Sequence, residues 1–359
     1  MSMRSKNLKI LAIETSCDDT GIAIVECGGG FRKPSFKVLA EVVSSQIEIH
    51  RPFGGVVPNL AKREHIKNLP VIYRKIFTNL KSQIPISKNV DLIAVTVGPG
   101  LEPALWAGIN FAKELGEKIK VPVVGVNHLE GHIYSNWLTP VVKIPNPKSQ
   151  IPRFPAIILI VSGGHTILLL MKSITKWEIL GETRDDAVGE VFDKVARMLG
   201  LSYPGGPEIE KLAIKFKNSK LKTKNPISFP RPMMYEKNYE FSFSGLKTSA
   251  LYYLRDHKKI NKGNVCASFQ QAAIDVLVHK TVKAVEEFGA KSILLCGGVA
   301  ANKSLQGQLK TKGQELRIDF HVPPFKYNTD NAVMIAVAAY FNYLQDKKYL
   351  LEANGNLSI

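Results

Sequence analysis

The chain has 359 residues, 45% of them hydrophobic and 22% charged. That is ample for a core and too long for one compact unit, so two domains are expected. The longest apolar runs, such as AIILIV at 156–161, stop short of a bilayer span, and MSMRSKN passes at once into LKILAI without a cleavage-site pattern, so neither a membrane partner nor a secretion signal is expected. A formal net charge of +17 favours a polyanionic partner, RNA or DNA before a membrane surface. Cys17, Cys27, Cys266 and Cys296 form no CxxC pair and read as reduced thiols of a cytoplasmic protein.

In chain order, LKILAIET, SCDDTG and IAIVE read as strand, turn and strand, and LAEVVSSQ as a further strand. HIKNLPVIYRKIFTNL spaces Ile66, Leu69, Ile72, Ile76 and Leu80 as one apolar helix face, with Pro70 near the helix start. DLIAVTVGPG is a strand ending in a glycine turn, LEPALWAGINFAKELGEKI a helix and VPVVGVN a strand, which together imply an α/β domain with a partly parallel sheet. The same grammar restarts after the proline-rich linker at 141–155. FPAIILIVSGGHTILLLMK is strand, tight turn, strand, and KSILLCGGVAAN runs from a strand through a double-glycine turn into a helix. Two related lobes facing each other across a cleft are therefore expected. The boundaries expected are 1–127 for the first lobe, 128–330 for the second with a basic insertion at 182–265, and 331–359 for a C-terminal helix packing back across the lobes.

Three glycine turns, VSGGH at 161–165, YPGGP at 203–207 and CGGVAAN at 296–302, would let backbone N–H groups approach phosphate or ribose. No GxxxxGK[ST] is present and no GxGxxG opens a helix after the first strand. Asp193, on the helix leading to the second turn, could accept hydrogen bonds from a ligand hydroxyl or pair with Lys194 or Arg197. Asn302 enters a helix and could serve as a plain N-cap.

HLEGH at 128–132 places His128 and His132 one helical turn apart, a spacing that suits a metal ion or two ordinary surface histidines. It is not HExxH, and Gly131 weakens the helix, so a zinc peptidase fails its most diagnostic test. Asp330 in TDN could cap the apolar helix that follows, or meet the histidine pair across the cleft as a third ligand. Two imidazoles and a carboxylate suit iron(II) or zinc.

ETSCDDTGIAI (14–24), FGGVVPNLAKREH (53–65), GPGL (98–101), HLEGH, VSGGHT (161–166), FDK with LGLSYPGGP (192–207), FSFSGLKT (241–248), GGVAAN (297–302) and TDNAVMIA (329–336) together resemble the bacterial tRNA N6-adenosine threonylcarbamoyltransferase family. The likeness covers nearly the whole chain, with Glu102-Pro103 and Glu210 among its departures. It implies the two-lobed actin/hexokinase/Hsp70-like α/β fold with an interlobe cleft. It implies transfer of a threonylcarbamoyl group from threonylcarbamoyl-AMP to N6 of adenosine 37 in tRNAs reading ANN codons, with release of AMP. The family's metal ligands fall on His128, His132 and Asp330, with one divalent ion expected, iron(II) before zinc. Its substrate contacts fall on Ile160, Val161, Ser162, Gly163, Gly164, Asp193, Gly206, Glu210 and Asn302. The partners implied are a paralogous, TsaB-like dimer partner and a small, TsaE-like ATPase.

Asp18 could orient or deprotonate the adenine amine, or serve only the turn that Asp-Asp-Thr-Gly makes. Lys211, Lys215, Lys217, Lys220, Lys222, Lys224 and Arg231 crowd one segment and are expected to contact tRNA phosphates in the anticodon arm. An ATPase or kinase of the same superfold is the alternative, because fold does not fix function.

Overall fold

The apolar runs at the start of the chain become β1 (Leu8–Glu14) and β2 (Asp19–Gly28), an antiparallel hairpin in register from Leu8 opposite Cys27 to Glu14 opposite Gly21. β3 (Ser35–Ser45) pairs antiparallel outside β2. After the short α1 (Ile47–His50) and the long α2 (Pro58–Asn79), β4 (Leu92–Gly98) pairs parallel on the other side of β1. α3 (Glu102–Ile119) then leads to β5 (Val123–Asn127), parallel to β4. The order is β3-β2-β1-β4-β5. The computed structural model describes residues 7–79, 90–138, 151–219 and 226–359.

A second sheet repeats this plan. After α4 (His128–Tyr134), β6 (Ala156–Val161), β7 (Thr166–Ser173) and β8 (Lys176–Glu182) form an antiparallel meander. α5 (Val188–Met198), α6 (Gly205–Asn218), α7 (Ser244–Asp256) and α8 (Lys262–Phe288) intervene before β9 (Ser292–Cys296), which joins β6 in parallel. α9 (Lys303–Glu315) leads to β10 (Asp319–His321), parallel to β9, and α10 (Ala332–Leu344) follows. The order β10-β9-β6-β7-β8 is the first sheet's order with the same strand directions. The duplicated α/β plan expected for the actin/hexokinase/Hsp70-like fold is therefore present.

The chain divides into Met1–Pro140 with Thr329–Ile359, and Val141–Asn328. This division places 128–138 and 329–330 with the first unit, whereas the sequence reading began the second lobe at 128 and ended it at 330. The cause is local: α4 packs on α10, so closely that a Cβ on Gly131 would stand 3.0 Å from both Ile335 and Met334.

In the first unit Leu11, Ile13, Ile22, Ile24, Ile93 and Val95 meet Leu69, Ile72 and Ile76 of α2 and Leu105 and Ile109 of α3. Alternation along the strands turns Ile10, Ala12 and Glu14 to the other face, where α10 packs on β1 and β2. Gly21 permits that approach, since its Cβ would lie 3.1 Å from the backbone nitrogen of Ala332. Two details of α2 differ from expectation. The helix starts at Pro58, which puts Pro70 in its interior on an exposed position, and Ile66 is 54% exposed rather than part of the buried face. Leu80 lies outside the described residues.

In the second unit α8 is the spine, with Val265, Phe269, Ala273 and Leu277 in the core. The basic stretch 182–265 is no separate appendage: Val188, Phe192, Ile209, Phe229, Phe243 and Leu246 from it join that same core. Asp185 fastens it. Its carboxylate accepts from the hydroxyls of Ser242 (2.5 Å) and Ser244 (2.6 Å) and from the backbone N–H groups of Phe243 (2.8 Å) and Ser244 (3.2 Å), so it caps α7 from a distant loop.

Candidate metal centre and glycine turns

α4 follows β5 without a loop. Asn127, the last residue of the strand, caps the helix by accepting from Leu129 N (2.8 Å) and Glu130 N (3.4 Å). The i, i+4 spacing sets the His128 and His132 rings side by side, with centroids 4.7 Å apart and planes at 81°. All seven residues of α4 are buried, so these are not surface histidines. Gly131, expected to weaken the helix, faces Met334 and Ile335 of α10, where an added Cβ would be crowded.

At the head of α10 the cap is Asn331, whose side chain accepts from Met334 N at 2.9 Å. Asp330 does not cap; its Oδ1 stands 3.2 Å from His132 Nε2 and 3.4 Å from His128 Nε2. One ligand atom from each of the three residues lies within 4.8 Å of the others. The expected convergence is present, but it occurs inside the first unit and not across a cleft.

The cluster fits a metal ion on two grounds. His132 is fully buried, yet its Nδ1 has no hydrogen-bond partner and its Nε2 meets the Asp330 carboxylate without forming a well-aligned hydrogen bond, an arrangement that leaves desolvated polar atoms poorly compensated. The 3.2 and 3.4 Å separations match the spacing of about 3.3 Å between ligands of a tetrahedral ion with bonds of about 2.0–2.1 Å.

Glu14, which the sequence reading did not single out, completes the surroundings. Fully buried at the end of β1, it accepts from Thr96 Oγ1 at 2.6 Å and Ser16 N at 2.5 Å and lies 3.2 Å from His128 Nδ1. Ser16 Oγ is 3.1 Å from that same nitrogen. Burial alone would depress His128, but the Asp330 and Glu14 carboxylates outweigh it and push the imidazole up to about 10. Burial works to raise Asp330, yet His128 and His132 hold its carboxyl far below the ordinary range. The pocket is thus built to hold positive charge. The available signal was a carboxylate on an alternation-buried strand face, which must have a partner.

The SCDDT turn borders this cluster. Burial, reinforced by the charge of Asp330, raises the Asp18 carboxyl above its usual range, and burial pushes Asp19 up to about 7. Gly100 backs the turn: its φ is +156° and a Cβ there would stand 2.6 Å from Ser16 O. All four cysteines are free thiols, and burial raises Cys17 well above the ordinary range, so it stays protonated.

In the second unit β6 and β9 are parallel neighbours, so the turns after Val161 and Cys296 leave the same edge of the sheet, where open α/β sheets bind ligands. Ser162 closes its turn by accepting from His165 N at 3.0 Å. Gly163, Gly164, Gly206 and Gly298 each have nothing within 4 Å of where a Cβ would project. Gly189, Gly205 and Gly297 are the opposite case, packed against backbone at 2.5, 2.8 and 2.4 Å. Asp193 Oδ1 accepts from Gly205 N at 2.7 Å, and Lys194 pairs with Asp186 and Glu190. Glu210 Oε1 accepts from Lys303 N at 2.7 Å. Asn302 caps α9 through Leu305 N (3.0 Å) and donates to Gln270 Oε1 (2.9 Å). The structure thus gathers Ile160–Gly164, Asp193, Gly206, Glu210 and Asn302 in one unit.

Of the basic segment, Lys211, Lys215 and Lys217 are exposed on α6, while Arg231 is engaged by Asp275 at 2.6 Å. Lys220, Lys222 and Lys224 lie outside the described residues.

A family model described as tRNA N6-adenosine threonylcarbamoyltransferase matches residues 37–337. Proteins of that name are similar along almost their whole length. That of Thermosipho melanesiensis is 47% identical, with 98% of this chain and 99% of the relative covered. That of Moorella thermoacetica is 46% identical (94% and 92% covered), and that of Bacillus cereus 43% identical (98% and 96%). Among solved structures, HypF of T. kodakarensis is similar in fold, with a TM-score of 0.56 at 15% identity, covering 95% of this chain and 48% of that one.

Proposed function

The chain belongs to the tRNA N6-adenosine threonylcarbamoyltransferase family, a family of transferases that modify tRNA, and on that premise we propose that it moves the threonylcarbamoyl group of threonylcarbamoyl-AMP to N6 of adenosine 37 in tRNAs reading ANN codons. The observation that carries the reading is the convergence of buried His132 with His128 and Asp330, one ligand atom of each lying within 4.8 Å of the others. These three residues would hold one divalent ion, iron(II) in our reading and zinc otherwise. When bound, such an ion supplies Lewis acidity toward the carbonyl of the donor.

The remaining work falls to the chain itself. The donor is already activated, because AMP is a good leaving group, so catalysis rests on positioning and on protecting the carbonyl from water. Backbone N–H groups of the VSGG and GGVAAN turns hold the adenylate, those of Gly163 and Gly164 in the first because Ser162 N is already donated to His165 O, and the unencumbered faces of Gly163, Gly164 and Gly206 leave room for the nucleotide. Asp193, Glu210 and Asn302 fix this floor and orient ribose and base. Asp18 orients the attacking amine and accepts its proton. The exposed lysines of α6 contact phosphates of the anticodon arm.

A paralogous dimer partner and a small ATPase belong to the same proposal, as does a cytoplasmic location. Among the described residues, no helix is long and apolar enough to cross a membrane. The test is reconstitution with tRNA, threonine, bicarbonate, ATP and a threonylcarbamoyl-adenylate synthase, scoring modified nucleoside with and without the partners. Free ATP turnover without tRNA, and no modified nucleoside under any condition, would favour the kinase alternative.

A further inference from the structure

Glu130 lies between the two histidines in sequence and, two positions from each, points away from them across α4. It is fully buried, and a buried carboxylate persists only with partners. All those shown for its side chain come from the end of the chain. Asn342 Nδ2 donates at 2.8 Å, the Tyr349 hydroxyl donates at 2.9 Å, and Lys347 forms an ion pair with it.

Past Tyr349 the chain stays on the first unit. Asn354 N donates to Val97 O at 2.9 Å, Gly100 N donates to Gly355 O at 3.3 Å, and Gly355 N donates to Glu102 Oε1 at 3.3 Å. Asn127, whose Oδ1 caps α4, donates its Nδ2 to Ser358 O at 3.0 Å. Tyr349, Leu351, Ala353 and Leu357 pack on the core. The sheet is cut away to admit this segment: a Cβ on Gly98 would stand 2.0 Å from Asn354 O, and one on Gly125 3.1 Å from Tyr349 Cβ. The seven-residue α4 is far too short to hold its own geometry, so its contacts set where its side chains point.

We infer that residues 345–359 form a positioning strap for α4, gripping it at Asn127 and Glu130 and thereby aiming His128 and His132. The inference rests on the reading of His128, His132 and Asp330 as metal ligands. Lys347, Tyr349 and Glu130 are positioning residues and touch no reacting atom.

The test uses the full chain stripped of metal and titrated with cobalt(II), followed by competition and by the visible ligand-field spectrum. The Lys347→Met/Tyr349→Phe double variant is expected to bind cobalt about tenfold more weakly and with an altered spectrum, as loss of outer support for ligands usually does. Lys347→Arg, which keeps the ion pair, is expected to retain wild-type affinity. A tail that merely stabilises the unit would lower the unfolding midpoint of the double variant yet leave affinity and spectrum unchanged. That outcome, with cobalt binding lost in His132→Ala, overturns the strap and leaves the metal centre standing. Undiminished cobalt affinity in His132→Ala overturns both.

Discussion

Asp330 Oδ1 stands 3.2 Å from His132 Nε2 because Asn331, the next residue, has taken over the capping of α10. The division of labour between neighbours frees one carboxylate for an ion. Asp330→Ala should therefore leave α10 capped and the fold intact while weakening metal binding more than about 100-fold, beyond what loss of an outer partner costs. Metal content after dialysis, with circular dichroism as the folding control, checks this. Stripping the metal from the wild-type chain should abolish threonylcarbamoyl transfer, and the divalent ion should restore it.

Glu14 supports His128 without belonging to the ligand set. Glu14→Gln keeps the side chain's shape and removes the negative charge beside the imidazole, and with the amide oxygen accepting from Thr96 its NH2 faces Ser16 N, so that hydrogen bond is lost as well. Metal affinity is expected to fall about 10–100-fold, with the modified-nucleoside yield at saturating metal largely retained. Competition titration against a chromogenic chelator separates this from an Asp330 substitution, which saturating metal does not rescue.

The glycines of the second unit divide into two kinds that mutation should tell apart. Gly297 has φ +91° and a Cβ there would stand 2.4 Å from Val161 O, so Gly297→Ala should cost about 1–3 kcal/mol of stability in urea unfolding. Gly163 has nothing within 4 Å of its Cβ position, so Gly163→Ala should leave the unfolding midpoint alone. Its effect should instead fall on transfer, lowering kcat/KM for the adenylate by about tenfold or more as the nucleotide is displaced.

Asp185 gives a pH dependence of known sign. Burial acts to raise its carboxyl, but the hydrogen bonds from Ser242, Ser244 and the N-terminus of α7 outweigh it and hold it below the ordinary range. Its contribution to stability is thus complete above the unfolded aspartate value, near about 4, and is lost as pH falls through the lower folded value. Asp185→Ala should cost about 1 kcal/mol at neutral pH, the usual cost of a lost cap. The variant should also destabilise less than wild type on acidification across that window. Urea unfolding at several pH values measures both.

Replacing Lys211, Lys215 and Lys217 with glutamine should weaken tRNA binding and make its logarithmic salt dependence shallower by about 2, at roughly 0.7–0.9 per phosphate contact. An unchanged slope would remove α6 from the RNA-binding surface.

Much of this was readable from residue order. Hairpins and strand–glycine–helix units are local patterns, and their recurrence in the chain announces the duplicated sheet. The histidine pair was readable because four residues are about one helical turn. Asp330 was less so: TDN offers three adjacent capping side chains, and only the path of the backbone decides which one caps. The role of Glu14 was hidden because alternation shows that a strand face is buried, not what covers it. The cover is α10, from the far end of the chain. Glu130 was not singled out, since its partners at 342–349 follow no periodic pattern.

The first unit is written in two pieces, with the whole second unit between them. A chain emerging from the ribosome therefore displays β1 and β2 long before the helix that covers them exists. The second unit can mature while its neighbour waits. Asp330 arrives only after that delay, so the complete set of His128, His132 and Asp330 cannot assemble until the second unit has been synthesised.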